Sequence, residues 1–344
     1  MKKLLLSLCI VAALSACSEA EVTFEQPKEI GLNAVVQNRT RAMVNDTEFP
    51  SENFMVWAWY KQIAAGTSIS AWQAATETQQ LYIDEKEFEP NGSGLWKGTS
   101  SFYWPKLGSL LFAGYYPASA ADKVSYAFDA NTNKMTIEDY SPTSDAYVAK
   151  GFVNKTVDAN HEEDLMYFNM TPNSANGNNV NVTFKHALSW LTVTVAKSAD
   201  TPEDATITIS SIQFTDVKTT GTGTVNGDAD IAWVPADAKA NISIVGANEG
   251  ILTTIAATLA KEPVIIPQAM AGNLVVTYTI ASSDGSKFTE TKTIALADLQ
   301  EGTEADQWEA GKHYTYAITI GTSEILINPS VEGWDNITIP TVEI

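Results

Sequence analysis

Cysteines, histidines and clustered acids are the residues of this sequence that could carry out chemistry. The two cysteines, Cys9 and Cys17, both precede residue 18, so the body of the chain has no thiol nucleophile, disulfide or cysteine metal ligand. The histidines His161, His186 and His313 lack the short spacing that places two imidazoles on one face for zinc. The sequence therefore predicts no metal site, no cofactor and no thiol chemistry.

Two stretches have the residue types of ligand-binding loops, and both are better explained as structure. Residues 129–133 (DANTN) begin like a calcium-binding EF-hand loop, but Lys134 replaces the glycine that such a loop needs. We therefore expect a hairpin turn there. Residues 221–224 (GTGT) form a lone GxG motif without a following helix to hold a phosphate, so we expect a loop.

Acid–base catalysis has two weak candidates. Residues 162–164 (EED) could form an acid pair, but they lack the apolar flank of a catalytic pair, so we expect a solvated surface. His186 alternates with Phe184 and Leu188, which is typical of a strand residue making a structural hydrogen bond. No serine lies in a GxSxG motif to act with it. The sequence predicts that the protein is not an enzyme.

The amino terminus carries an export signal. Lys2 and Lys3 precede an apolar run at 4–13 that is too short to span a membrane. Residues 14–17 (LSAC) resemble the lipobox at which bacterial signal peptidase cuts before a lipid-modified cysteine. We expect 1–16 to be a lipoprotein signal peptide and Cys17 the lipid attachment site, with palmitate-type acyl chains anchoring the protein to the cell outer membrane. The alternative is an ordinary secretory signal in which Cys17 is incidental.

The net charge excludes one class of partner, and the positions of the arginines distinguish one segment from the rest of the chain. With 41 acidic residues against 21 basic ones the net charge is -20, so nucleic acid is not an expected partner. Only Arg39 and Arg41 are arginine, and they lie in the polar stretch 37–46. An Arg-specific protease would cut once, in this stretch. The alternative is a lysine-rich composition with two incidental surface arginines.

Short runs with an apolar period of two, rich in Val, Ile, Thr and Tyr, indicate an all-β fold. We expect strands at 54–60, 124–128, 135–137, 180–184, 191–195, 207–209, 251–255, 274–280 and 314–320. Helix is confined to short stretches at 70–80 and 296–299. The Asn- and Gly-rich stretch 172–179 is the expected domain boundary, with a second core starting at Val180. This pattern favours β-sandwiches with Greek-key connections.

Several segments together resemble the fimbrillin family of Bacteroidales type V pilins. They are 103–105 (YWP), 111–117 (LFAGYYP), 182–189 (VTFKHALS), 264–268 (VIIPQ), 308–316 (WEAGKHYTY) and the tail from residue 325 to 334. The resemblance implies two tandem transthyretin-like Greek-key sandwiches, at 17–179 and 180–344. It also implies a lipoprotein precursor at the cell surface, cut after Arg41 or Arg39 by an Arg-specific protease and polymerised with other fimbrial subunits into an adhesive fimbria.

In such a pilus, strand exchange joins the subunits. Residues 17–41 would be a removable propeptide that contains the first strand, 29–36, with Ile30, Leu32 and Ala34 on its inner face. Its removal would leave a groove for a strand of another subunit. The expected donor residues lie in the carboxyl tail and are Ile337, Ile339, Val342 and Ile344. The alternative is a tail that closes its own sandwich.

A second function class stays open at this point. Five tryptophans of the first half, namely Trp57, Trp59, Trp72, Trp96 and Trp104, could stack on sugars. An outer-membrane-anchored lipoprotein that binds a glycan or a protein of a host or bacterial surface would use them in this way. Large rings also fill sandwich cores, so burial of these rings decides between the two interpretations.

Overall fold

The computed structural model describes residues 27–36, 52–128, 133–141, 164–173, 179–244, 249–259, 263–299, 306–322 and 325–333. In chain order the strands begin with β1 (Leu32–Val36), β2 (Phe54–Lys61), β3 (Gln80–Pro90), β4 (Trp96–Gly98), β5 (Ser109–Tyr116), β6 (Val124–Phe128), β7 (Asn133–Tyr140), β8 (Met166–Pro172), β9 (Val180–His186), β10 (Ser189–Lys197) and β11 (Thr206–Lys218). They continue with β12 (Gly221–Asn226), β13 (Ala232–Pro235), β14 (Lys239–Ser243), β15 (Glu249–Ile251), β16 (Ala257–Thr258), β17 (Val264–Ile265), β18 (Gln268–Ala269), β19 (Asn273–Ala281), β20 (Lys287–Ala295), β21 (Gln307–Trp308), β22 (Lys312–Ile320) and β23 (Ile325–Gly333). The predicted all-β fold is confirmed.

Helix is confined to short insertions. The helix α1 spans Ile69–Ala74, and 3-10 turns occupy Ala118–Ala120 and Leu296–Leu299. The predicted helix at 70–80 is therefore shorter than expected and gives way to β3 at Gln80. The Ser68 side chain caps the amino end of α1 by accepting the amide N–H of Ala71.

The sheets form a barrel, a sandwich, a third sheet of four strands and the short pair β18-β21. The barrel closes in the order β1-β4-β3-β2-β5-β8-β9. The sandwich packs β16-β10-β22-β23 against β14-β11-β19-β20, with aliphatic side chains such as Val193 and Val276 between the two sheets. The third sheet, β13-β12-β7-β6, covers the outer faces of β2 and β5.

This topology links the two halves of the chain more closely than the sequence predicts. The hairpin β6–β7 comes from the first half, and β12–β13 from the second, yet β7 pairs with β12 in one sheet. Strand β9 pairs with β1 and β8 of the barrel, which differs from the prediction that a second core starts at Val180. Within the described chain, the sandwich strands begin at β10.

One motif has a different structure from the one expected. Residues 221–224 (GTGT), predicted to be a loop, form most of β12 between β13 and β7. A Cβ atom on Gly223 would lie 2.9 Å from Ile231 Cδ1 and 3.1 Å from the Trp233 ring. Glycine is needed here because a bulky side chain from the neighbouring strand occupies the space above it, and not because the chain turns.

Eight of the nine predicted strand runs lie inside observed strands. The exception is 251–255, where β15 ends at Ile251. The hairpin expected around 129–134 is also present, because β6 and β7 pair antiparallel from Val124↔Ile137 to Phe128↔Asn133.

Candidate functional site

The first-strand segment, defined here as residues 27–36, inserts alternate side chains into the barrel. Ile30, Leu32, Ala34 and Val36 are 1%, 0%, 5% and 7% exposed. Every second residue points inward because a strand has a side-chain period of two. The inner face that the sequence predicts for this strand is confirmed, and Val36 extends it by one position.

The interior that receives these side chains is aromatic. The Phe54 ring lies 5.2 Å from the Phe184 ring and 6.0 Å from the Trp96 ring, measured between centroids. Phe168 and Phe184 are 4.9 Å apart with an interplanar angle of 72°. All four of these rings belong to the same buried cluster as the inner face of the first-strand segment. Loss of that segment would expose this cluster to water.

The backbone of the segment is held differently along its two edges. Along one edge β1 runs parallel to β9 through five consecutive pairs, from Leu32↔Val180 to Val36↔Phe184. Along the other, among the described residues, it pairs with β4 only at Leu32↔Trp96. The loop before β5 adds two hydrogen bonds, from Ile30 N to Phe102 O at 2.8 Å and from Trp104 N to Lys28 O at 2.9 Å.

Two polar side-chain contacts fix the register. Lys97 Nζ lies 2.5 Å from Glu29 Oε2, and this hydrogen bond, with a further one from Ser101, lowers the pKa of Glu29. Both partners are partly exposed, so the ion pair adds little stability. On the outer face Asn33 Nδ2 donates to Asn181 Oδ1 at 3.0 Å. The segment is therefore held mainly by its apolar face and by β9.

The buried position of Asp164 contradicts one prediction, and its contact with His186 confirms another. The stretch 162–164 was expected to be solvated, but Asp164 is 1% exposed and its Oδ2 lies 2.8 Å from His186 Nδ1. The prediction that Asp164 lies on a solvated surface is wrong, because the histidine at the end of β9 draws the carboxylate into the structure. The structural hydrogen bond predicted for His186 is confirmed.

A second histidine, His313, is half-buried at the start of β22. The His313 ring stacks on Trp190 with centroids 3.5 Å apart, and its Nε2 lies 2.8 Å from Thr192 Oγ1. Burial lowers the pKa of His313 to about 4. The sequence predicted no role for His313. The pattern of residues around it, at 308–316, indicated only a strand.

The sequence profile of the fimbrillin-like family matches residues 40–334.

The chain belongs to this fimbrillin-like family.

Two solved structures share this fold. A fimbrial protein from Bacteroides vulgatus ATCC 8482 superposes with a TM-score of 0.60 at 17% identity, covering 89% of this chain and 99% of that chain. A candidate cell adhesion protein from Parabacteroides distasonis ATCC 8503 has a TM-score of 0.50 at 12% identity, over 91% of this chain and 98% of that one. The tip fimbrial protein Mfa3 from Porphyromonas gingivalis, truncated at its carboxyl end, has a TM-score of 0.42 at 12% identity, over 90% and 100%. No curated protein sequence matches the chain.

Of the five tryptophans that could stack on sugars, four lie in the cores of this fimbrillin-like chain. Trp57, Trp59, Trp72 and Trp96 are 4%, 4%, 1% and 7% exposed. Trp104 is half-buried and packs edge-on against Phe112. These rings are therefore not a surface platform for sugars, and the tryptophans no longer favour the glycan-binding interpretation.

The remaining predicted site residues lie outside the described residues. They are Cys17, Arg39, Arg41, Ile337, Ile339, Val342 and Ile344. Across the part of the chain that is described, no group of three or more His, Cys, Asp or Glu residues is placed to hold a metal ion. No helix of that part is long and apolar enough to cross a membrane.

Proposed function

We propose that this fimbrillin-like chain is a structural subunit of a cell-surface fimbria and assembles by exchange of its first strand. An Arg-specific protease removes residues up to Arg39 or Arg41, and a strand of another fimbrial subunit takes the place of the first-strand segment. The observation that carries the proposal is the insertion of Ile30, Leu32 and Val36 into the barrel core by a segment that ends three residues before Arg39.

Cleavage would separate this segment from the barrel without removing any other strand that the structure describes. Val36 is the last residue of β1, and β2 starts at Phe54, so a cut after Arg39 or Arg41 falls in the connection between them. The match to the family profile begins at residue 40, which leaves the segment outside the part shared with the family. After cleavage only non-covalent contacts would hold it.

The free energy of those contacts is large enough to favour a replacement strand in the groove. Burying three aliphatic side chains of this size stabilises a fold by roughly 5–9 kcal/mol in total. An empty groove would forfeit that energy and leave the edge of β9 unpaired along Val180–Phe184. A strand from another subunit can add to this edge with apolar residues at alternate positions. It then restores both the burial of apolar side chains and the backbone pairing of β9.

The rest of the proposed pathway is supported by the lipobox-like stretch at 14–17 and by the resemblance to the fimbrillin family. Cys17 carries the lipid that brings the precursor to the outer membrane and the cell surface, and residues 337–344 supply the donor strand through Ile337, Ile339, Val342 and Ile344. The protein has a structural role rather than an enzymatic one, and its partners are other fimbrial subunits, the Arg-specific protease and the surface to which the fimbria adheres.

Limited digestion with an Arg-specific protease tests this proposal. Amino-terminal sequencing should give one new end, at Thr40 or Ala42, and sizing should show polymers only after digestion. The matched control is Arg39→Lys with Arg41→Lys, which keeps both charges and removes both cleavage sites. Polymers formed equally well by this control would contradict the proposal, as would digested protein that stays monomeric.

A further inference from the structure

A cavity of about 300 Å³ lies on the outside of the barrel where β8 and β9 diverge. The two strands pair only at Met166↔His186 and Tyr167↔Lys185 among their described residues. Beyond that point, the cavity is lined by the end of β8 and by the outward residues of β9. Ile69 of the helix α1 and Asp228 of the turn between β12 and β13 also line it.

Polar groups from three elements converge on this cavity with unused hydrogen-bonding capacity. Thr171 of β8, Thr183 of β9 and Asp228 of the β12–β13 turn line it, and no hydrogen-bond partner for their side chains is present among the described residues. Asn181 accepts from Asn33 through Oδ1, which leaves its Nδ2 group free to donate to a ligand. Donors and acceptors are thus both available.

The backbone along one wall is strained, although the Met170 side chain itself is 1% exposed and packs into the core. Met170 has φ 52°, in the left-handed region that non-glycine residues rarely adopt. Its amide N–H donates to Asn169 Oδ1 at 3.0 Å, and Asn169 is itself bound by Tyr126 and Gly227. Strain that is retained by a hydrogen-bond network is typical of functional sites. Ile69 and Pro172, both partly exposed, form the apolar wall of the cavity.

We propose that this cavity binds one ring of a neutral hexopyranose sugar. A carboxylate such as Asp228 accepts from two neighbouring sugar hydroxyls, and Asn181 Nδ2 and the threonine hydroxyls donate to the sugar oxygens. The apolar wall receives the C–H face of the ring. Lys185 Nζ lies 2.6 Å from Asp230 Oδ1, so its charge is already compensated, and Asp228 disfavours an anionic sugar.

The size of the cavity distinguishes a sugar from a peptide strand. A volume of 300 Å³ equals a sphere about 8 Å across and holds about ten water molecules at ~30 Å³ each. A hexopyranose with a few retained waters fills such a space. An extended five-residue segment is about 17 Å long, roughly twice that diameter.

In the test, the full chain is titrated with four neutral probes, the methyl glycosides of glucose, galactose, mannose and N-acetylglucosamine. Binding is measured by saturation-transfer NMR and by changes in chemical shift. Glucuronate is the charged probe. At least one neutral glycoside should bind with millimolar affinity, and glucuronate at least about tenfold more weakly.

Two variants locate the binding. Thr183→Val and Asp228→Ala change exposed side chains and should leave the melting temperature unaltered while weakening sugar binding by about tenfold or more. Thr289→Val, on the exposed face of β20 in the sandwich, is the matched control and should bind as the wild type does.

Three results would overturn the inference. The first is no binding of any neutral glycoside at about 50 mM. The second is binding that Thr183→Val and Asp228→Ala retain in full. The third is tighter binding of a synthetic peptide of residues 336–344 that both variants weaken, which would assign the cavity to a peptide. None of these results depends on cleavage at arginine, so this inference and the strand-exchange proposal stand or fall separately.

Discussion

Replacement of His313 should remove a defined part of the acid sensitivity of this protein. The imidazole is stacked on Trp190 and its pKa is lowered by burial to about 4, against 6.5 for the unperturbed group. Between these two values the unfolded chain binds a proton at His313 and the folded chain does not. The free energy of unfolding therefore falls as the pH drops below 6.5, and the loss is complete near the folded-state pKa.

The size of this loss follows from the two pKa values. At pH 7.5 both states hold a neutral imidazole, and the contribution is close to zero. At pH 4.5 the unfolded state is almost fully protonated and the folded state mostly is not, which lowers the stability by about 2–3 kcal/mol through His313 alone. Carboxylates such as Glu29, whose pKa is lowered, also lose stabilisation in acid, so only a comparison with a variant isolates the histidine.

Urea unfolding of wild type and His313→Gln at pH 7.5 and pH 4.5 makes that comparison. The wild type should lose about 2–3 kcal/mol more than the variant between the two conditions. Thr192→Val serves as the control, because it removes the hydroxyl at 2.8 Å and keeps the imidazole stacked on Trp190, so its pH dependence should resemble that of the wild type. Equal losses in wild type and His313→Gln would refute the argument.

Three further predictions address the fold and the export signal. Gly223→Ala should lower the free energy of unfolding by about 1–3 kcal/mol, measured with urea, because the added Cβ meets the side chains of Ile231 and Trp233; an unchanged midpoint would contradict this. Asp164→Ala should cost about 3 kcal/mol in the same assay, since it leaves His186 without its buried partner, and a loss below half of that would mean the pair is not structural. Cys17→Ala should abolish palmitate labelling of the precursor, and labelling that persists would remove the lipoprotein assignment.

Local patterns in the sequence predicted the strands well. The alternation at 30–36 placed the inner face of the first-strand segment correctly, because side-chain direction in a strand depends only on position along the chain. The short helical turn at Leu296–Leu299 and the β6–β7 hairpin were also predictable, because each forms between residues that are close together in the chain.

Contacts between distant parts of the chain were not predictable in this way. The pairing of β7 with β12 joins residues about ninety positions apart, and nothing in either strand alone identifies its partner. Gly223 looked like a loop residue because the ring that fills the space above it comes from Trp233. Asp164 looked solvated because its partner, His186, lies 22 positions away. The cavity between β8 and β9 also depends on four separate elements.

A reversible lock on the first strand tests the account most directly. Asn33 and Asn181 lie opposite each other in β1 and β9, within hydrogen-bond distance, so cysteines at both positions in a Cys17→Ala chain can form a disulfide after a small backbone adjustment. After digestion with the Arg-specific protease, the oxidised variant should stay monomeric by sizing, because the severed segment cannot leave. Addition of reductant should restore polymer formation to the level of the digested Cys17→Ala chain. Polymers of equal size and yield from the oxidised and reduced forms would contradict strand exchange at this groove.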